Sequence, residues 1–190
     1  MTSILRGALA ALAFTSTVWL AATPAAADDY DTCGKASGDE AIAACTRAID
    51  SGRYSGRQLA ALFNNRCSEW NGKQESDKAF VDCNEAIRLN PNHAAAFYNR
   101  GTAYNANGQH DRAIEDFNQS IRLSPGHADV FYNRGITYKA MAFYNRGFSW
   151  ERKNDLQRAL ADFKKSSELA PSDPNGPKGV ERVTKALSGR

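Results

Sequence analysis

AAAFYNRGTAYNANGQHDRAIEDFNQSIRLSPGH, residues 94–127, is the stretch that decides the fold. Ala96, Phe97, Gly101, Ala103 and Tyr104 recur at helical spacing until Asn107-Gly108 interrupts them. Asp111 then opens a second periodic stretch, Ala113, Ile114, Phe117, Ile121 and Leu123, which Ser124-Pro125-Gly126 closes. Two amphipathic helices joined by a glycine-containing turn make an antiparallel hairpin. Gly101 and Ala113 are small where the two helices approach most closely. Phe97 and Tyr104 are large where one hairpin fills the gap to its neighbour.

The hairpin is one of a series. Phe-Tyr-Asn-Arg-Gly occurs at 97–101, 131–135 and 143–147, and a degenerate copy, Phe63-Asn-Asn-Arg-Cys67, precedes them. The steps from 63 to 97 and from 97 to 131 are 34 residues, and the last step is 12. A fixed period of that size marks a solenoid, whose units bury their apolar faces only by stacking on one another.

The pattern resembles the tetratricopeptide repeat, with an aromatic, a Gly, an aromatic, an Ala, an aromatic and a Pro at set offsets. Those positions are Phe97, Gly101, Tyr104, Ala113, Phe117 and Pro125 in the quoted unit. Residues 60–93 match with Phe63, Cys67, Trp70, Ala79, Cys83 and Pro91, and residues 140–173 with Phe143, Gly147, Trp150, Ala159, Phe163 and Pro171. The resemblance, to an exported protein of bacterial type, covers residues 57–173. It implies an all-α solenoid, a right-handed superhelix of helical hairpins whose first helices line a concave groove. The expected order is a signal peptide (1–27), a Cys-containing cap region (28–59), and repeats at 60–93 and 94–127. An extra first-helix segment (128–139), a third repeat (140–173) and a C-terminal cap and tail (174–190) follow. Within the cap region, Ala41, Ile42, Cys45, Ala48 and Ile49 read as a lone second helix, and Val180–Leu187 as the covering helix at the other end.

The leader reading rests on Arg6, the apolar run 7–20, and Ala25-Ala26-Ala27 as a cleavage site before Asp28. The run is shorter than the roughly 20 residues of a spanning helix. With 27 of 190 residues removed, 163 remain, enough for one domain, and no further stretch could cross a bilayer. The leader holds one of the 24 Lys and Arg and none of the 21 Asp and Glu, so the mature balance is 23 against 21. Near-neutral, interspersed charge argues against nucleic acid as a partner.

Between Pro125 and Pro171 lie 46 residues, a repeat lengthened by 12. From Val130 to Lys153 there is no Pro, and the only glycines are Gly135 and Gly147. One helix of about 24 residues is the simplest structure, with a kink near 139–142 as its rival. Twelve residues turn a helix by about 120° beyond whole turns, so the two Phe-Tyr-Asn-Arg-Gly faces cannot pack alike.

Residues in antiparallel helices sit level when their midpoint falls in the turn. Arg66 with Asp82, Arg100 with Asp116 and Arg146 with Asp162 obey this rule, and an Arg–Asp bridge is expected in each hairpin. Cys67 and Cys83 obey it too, which favours a disulfide there and leaves Cys33 with Cys45. Three connectivities exist for four Cys, and buried free thiols are the alternative.

No phosphate loop, nucleophile–base arrangement or metal-ligand cluster is visible, so no catalytic residue, metal or cofactor is expected. His93 and His127 recur because the turn recurs, and His110 lies in a turn segment. Asn65, Asn99 and Asn133 occur once per unit, with Asn145 in the duplicate. By resemblance they face the groove, where an amide can both donate to and accept from a peptide backbone. Tyr98 and Tyr132 add aromatic contact. Family members that bind C-terminal carboxylates carry Lys four residues before this Asn. Here Ala61, Ala95, Asp129 and Met141 stand there, so a carboxylate clamp is not expected. The resemblance thus implies a non-catalytic adaptor of the periplasm or secreted space that binds a protein or peptide. Homo-oligomerisation through the surplus face of 128–139 is the alternative.

Overall fold

The structure, a computed structural model, describes residues 25–189. The leader expected over 1–27 lies outside the described residues except for Ala25–Ala27, which open the first helix. Among the described residues the regular elements are nine helices: α1 (Ala25–Lys35), α2 (Gly38–Asp50), α3 (Gly56–Gly72), α4 (Ser76–Leu89), α5 (Ala94–Ala106), α6 (His110–Leu123), α7 (Ala128–Arg152), α8 (Leu156–Leu169) and α9 (Asn175–Leu187). Consecutive helices pair as hairpins, α1 with α2 through α7 with α8, and α9 lies on α8. The first helices touch one another, α1 to α3, α3 to α5 and α5 to α7, whereas α2, α4, α6 and α8 do not. The stack therefore curves around its first-helix layer.

The core is a row of small clusters, each closed by the next unit's first helix. Leu62 of α3 completes the cluster of Cys33, Ala44, Cys45 and Ala48. Ala103 of α5 closes that of Cys67, Ala79 and Cys83. Val130 of α7 closes that of Ala113 and Phe117, and Val183 of α9 closes that of Ala159 and Phe163. Alone, no hairpin shields its own apolar face. The apolar periodicity thus becomes a stack.

Within each hairpin the two helices come closest at one place. A Cβ added to Gly101 would lie 2.8 Å from the Phe117 ring, and one on Gly147 2.9 Å from Phe163. Both phenylalanines are fully buried, each contributing on the order of 2–3 kcal/mol. In the first repeat, Cys67 and Cys83 occupy these positions and form a disulfide, S–S 2.04 Å. Beside the contact lies an ion pair: Arg66 donates to both oxygens of Asp82 at 2.7 and 2.8 Å, as Arg100 does to Asp116 and Arg146 to Asp162. All three aspartates are buried, and both oxygens of each are bonded. The turns repeat as well. Glu75, Gln109 and Asp155 donate their N–H to the carbonyls of Trp70, Tyr104 and Trp150, each at 2.9 Å, after a left-handed residue, Gln74, Gly108 or Asn154.

Two expectations at the ends are corrected. The helix at 41–49 is not alone, because α1 packs along α2 and a Cys33–Cys45 disulfide ties them, S–S 2.05 Å. The C-terminal helix starts at Asn175, ahead of Val180, because Pro177 falls in its first turn, where a missing N–H is harmless. Gly179 lets α9 approach so closely that a Cβ there would lie 2.6 Å from the Phe163 ring.

Helix α7 runs unbroken for 25 residues, about 37 Å at 1.5 Å per residue, without the rival kink. Its first half packs on α6 through Val130. Its second half pairs with α8, where the Ser166 hydroxyl donates to the Ala140 carbonyl at 3.1 Å. The extra length displaces α8 and α9 until the turn between them meets the α5–α6 turn. There the His110 ring lies between Asn105 Oδ1 and Asp173 Oδ2, 2.8 Å from each, with His110 and Asp173 both buried.

Gly135 holds the same position in the first half of α7 as Gly101 in α5, but nothing lies within 4 Å of a Cβ added there. Gly101→Ala should therefore destabilise the chain by about 1–3 kcal/mol through overpacking. Gly135→Ala should stabilise it by about 0.5–1 kcal/mol through helix propensity. Urea unfolding of the two variants checks this, and shifts of the same sign contradict it.

Helix α9 is also held by Arg182, which donates to both oxygens of Glu151 at 2.7 and 2.8 Å. That hydrogen bond holds the Glu151 carboxyl below its usual value of 4.5, with burial opposing it. A depressed folded value means the stabilisation is complete above the usual value and is lost as pH falls through the folded one. For this exposed pair the effect is under about 1 kcal/mol. Amide exchange in α9, corrected for its intrinsic pH dependence, should rise as pH drops below 4.5, and that rise should be smaller in Glu151→Gln.

Candidate functional site

The inner faces of α3, α5 and the first half of α7 form the concave side. Asn99 Nδ2 donates to Asn64 Oδ1 at 3.0 Å, and Asn133 Nδ2 donates to the Tyr98 hydroxyl at 2.7 Å. Both bonds join residues 35 apart, so each ties one repeat to the next. Asn71 Nδ2 adds a bond to the Asn99 carbonyl at 2.7 Å. The recurring Asn thus forms a ladder between first helices, not a row of free amides. Asn64 and Asn99 are each 8% exposed, too covered to present their amides to a peptide.

The expected groove residues are only partly brought together. Asn65 is half-buried, its Oδ1 3.4 Å from Asn64 Nδ2. Tyr98, Asn133 and Tyr132 lie on neighbouring first helices, with Tyr132 69% exposed. Asn145 is set apart. It lines a different recess, of about 350 Å³, with Gln109, Arg112, Met141 and Tyr144. The continuous α7 is the reason, since a 12-residue offset turns and moves the duplicate away from the groove.

A cleft of about 90 Å³ opens between α5 and α7, lined by Ala94, Ala95, Tyr98, His127, Asp129 and Val130. It has room for one small side chain and is well below the few hundred Å³ of a cofactor site. Burial raises the Tyr98 hydroxyl above its usual value of 10.0, and the Asp129 carboxylate adds to this, so the group stays a neutral donor and acceptor. Ala95 and Asp129 occupy the places where a carboxylate clamp would need lysines, and the cleft disfavours a carboxylate. A larger trough, about 900 Å³, lies outside the groove between α8 and α9, walled by Lys164, Ser167, Pro177, Val180 and Thr184. Among the described residues no group of three or more His, Cys, Asp or Glu is placed to share a metal ion.

Sequence reasoning missed Asn64 and the pairing of Asn133 with Tyr98. The signal is present: each bond runs from a groove Asn to the residue that precedes the matching position one unit earlier. Asn99→Ala should cost about 1–2 kcal/mol, because it strips a buried amide of its partner. Tyr132→Ala, at an exposed site, should stay within about 0.5 kcal/mol. Thermal and urea unfolding separate the two, and a neutral Asn99→Ala would contradict the ladder.

Residues 94–127 match the family model of the tetratricopeptide repeat. No curated protein sequence matches the chain at a significant level. Among solved structures, the TPR domain of P58(IPK) is similar with a TM-score of 0.58 at 19% identity, over 83% of this chain and 41% of that one. This chain therefore spans about two fifths of that structure's length. Weaker likenesses, below the level that fixes a fold, include a tetratricopeptide repeat protein from Parabacteroides merdae (TM-score 0.45, 18% identity, 87% of this chain and 59% of that one). Another is the first TPR of Spaghetti (RPAP3) bound to HSP90 peptide SRMEEVD (TM-score 0.37, 18% identity, 72% and 99%). Residues 94–127 thus match a tetratricopeptide repeat, in an all-α chain of tetratricopeptide-type fold.

Proposed function

We propose that the chain is a non-catalytic adaptor that holds a protein or peptide segment on its concave side. Tetratricopeptide repeats are in general protein–protein interaction modules, and the observation that carries the reading here is the cleft at Tyr98 and Asp129 beside the exposed Tyr132. Small residues, Ala94 and Ala95, leave room for a side chain of the bound segment. Tyr132 offers a rigid aromatic surface, the kind of anchor that dominates binding energy at protein interfaces. Asp129 favours a basic or neutral segment over an acidic one. Affinity capture with the wild-type chain and with Tyr132→Ala should recover a partner that the variant loses by tenfold or more, while circular dichroism stays unchanged. Identical partners from both would remove the groove from consideration.

Two disulfides suit an oxidising compartment. With the leader at 1–27 and its Ala25-Ala26-Ala27 end, they support an exported, periplasmic or secreted chain beginning at Asp28 after cleavage. Mass spectrometry of the chain from its exporting host should give an N-terminus at Asp28 and, without reduction, peptides linking Cys33 to Cys45 and Cys67 to Cys83. Free thiols on an uncleaved chain would contradict export.

A further inference from the structure

The first half of α7 repeats the docking surface of α5 without the helix that docks there. On α5, that surface is Phe97, Arg100, Gly101 and Tyr104. It receives α6: the Phe117 ring lies against Gly101, and Asp116 accepts two hydrogen bonds from Arg100, at 2.7 and 2.8 Å. On α7 the same four residue types stand in the same order at Phe131, Arg134, Gly135 and Tyr138. The chain does not turn back after them. It continues for another 12 residues, so α8 docks on the second copy, with Phe163 against Gly147 and Asp162 on Arg146. That copy faces about 120° away, so α8 leaves the first uncovered.

Phe131 is 42% and Tyr138 51% exposed, whereas Phe97 and Tyr104 are half-buried. Gly135 has open space where Gly101 has a phenylalanine ring. Arg134 reaches back to Asn118 Oδ1 through Nη1 at 2.6 Å, as Arg100 reaches Asn84. Unlike Arg66, Arg100 and Arg146, it has no carboxylate across from it among the ion pairs of the described residues. The missing element is defined by those that are present. Each second helix of the repeats places Ala, Asp and a further residue at the contact: Ala79, Asp82, Cys83; Ala113, Asp116, Phe117; Ala159, Asp162, Phe163.

We propose that this face of α7 binds an amphipathic helix of a second polypeptide, carrying an Ala-x-x-Asp-Phe pattern and docked antiparallel to residues 128–140. Its Phe lies against Gly135, its Asp pairs with Arg134, and its Ala permits the close approach that Ala113 permits on α5. The charge left at Arg134 and the near identity to the occupied α5 surface both select this occupant. Tyr132 borders this face, since the matching Tyr98 and Tyr144 lie 6.0 and 5.7 Å from the rings of Phe117 and Phe163, whereas Asn133 turns toward α5, where it donates to the Tyr98 hydroxyl.

A fluorescent peptide with the sequence of His110–Leu123 is the probe, titrated by anisotropy into the full chain. Saturable one-to-one binding is expected. Gly135→Leu should weaken it at least tenfold with unchanged circular dichroism, because the added side chain fills a slot where nothing lies within 4 Å of a Cβ. Replacing Asp116 by Asn in the peptide should also weaken it, through the loss of the Arg134 pair, while Asp129→Ala, in the cleft beside α5, should leave it unaltered. No saturable binding, or binding indifferent to Gly135→Leu, overturns the proposal. Light scattering that shows a dimer split by Gly135→Leu also overturns it, and gives the face to a second copy.

Discussion

Everything in this chain rests on the closest approach of two helices within a hairpin. A small residue on the first helix must meet a bulky or covalent partner on the second. Gly101 with Phe117 and Gly147 with Phe163 are two versions of that contact, and the Cys67–Cys83 disulfide is a third. The contact fixes the helices side by side, which brings the Arg–Asp pairs level and lets the turns close with the same bond. The apolar area each hairpin cannot cover alone then falls to the next first helix, from Leu62 through Ala103 and Val130 to Val183.

A 12-residue insertion acts on this scheme without breaking it. The helix lengthens instead of bending, because nothing between Val130 and Lys153 stops it and both halves have a helix to pack on. With α8 and α9 moved along α7, two turns meet in the buried His110–Asp173 latch. The same displacement leaves one first-helix surface bare. The molecule therefore presents two faces of different character, a polar groove between first helices and an aromatic flank on α7.

Much of the fold is legible in the residues because the period is written directly into them. The pairings within hairpins follow from arithmetic about each turn, which holds wherever two helices run antiparallel from a tight connection. Contacts between hairpins obey no such rule. Asn99 meets Asn64, not its own repeat mate Asn65, because adjacent first helices are offset by one residue as they cross. The first helix α1 is hidden in the sequence by Gly34 and by its overlap with the leader, and the start of α9 is hidden by Pro174 and Pro177. Distance along the chain misled the reading of Asn145, since the repeated motif carries the letter but the continuous helix carries the position.

The displaced third hairpin, the latch and the bare face all depend on the unbroken α7. Spin labels at the exposed Asp129 and Arg152, read by pulsed electron resonance, measure it directly. A continuous helix puts their backbones about 35 Å apart at 1.5 Å per residue, with a single narrow distribution. A separation below about 25 Å would mean that the helix breaks near residues 139–142, and that the first half has folded back as a repeat of its own.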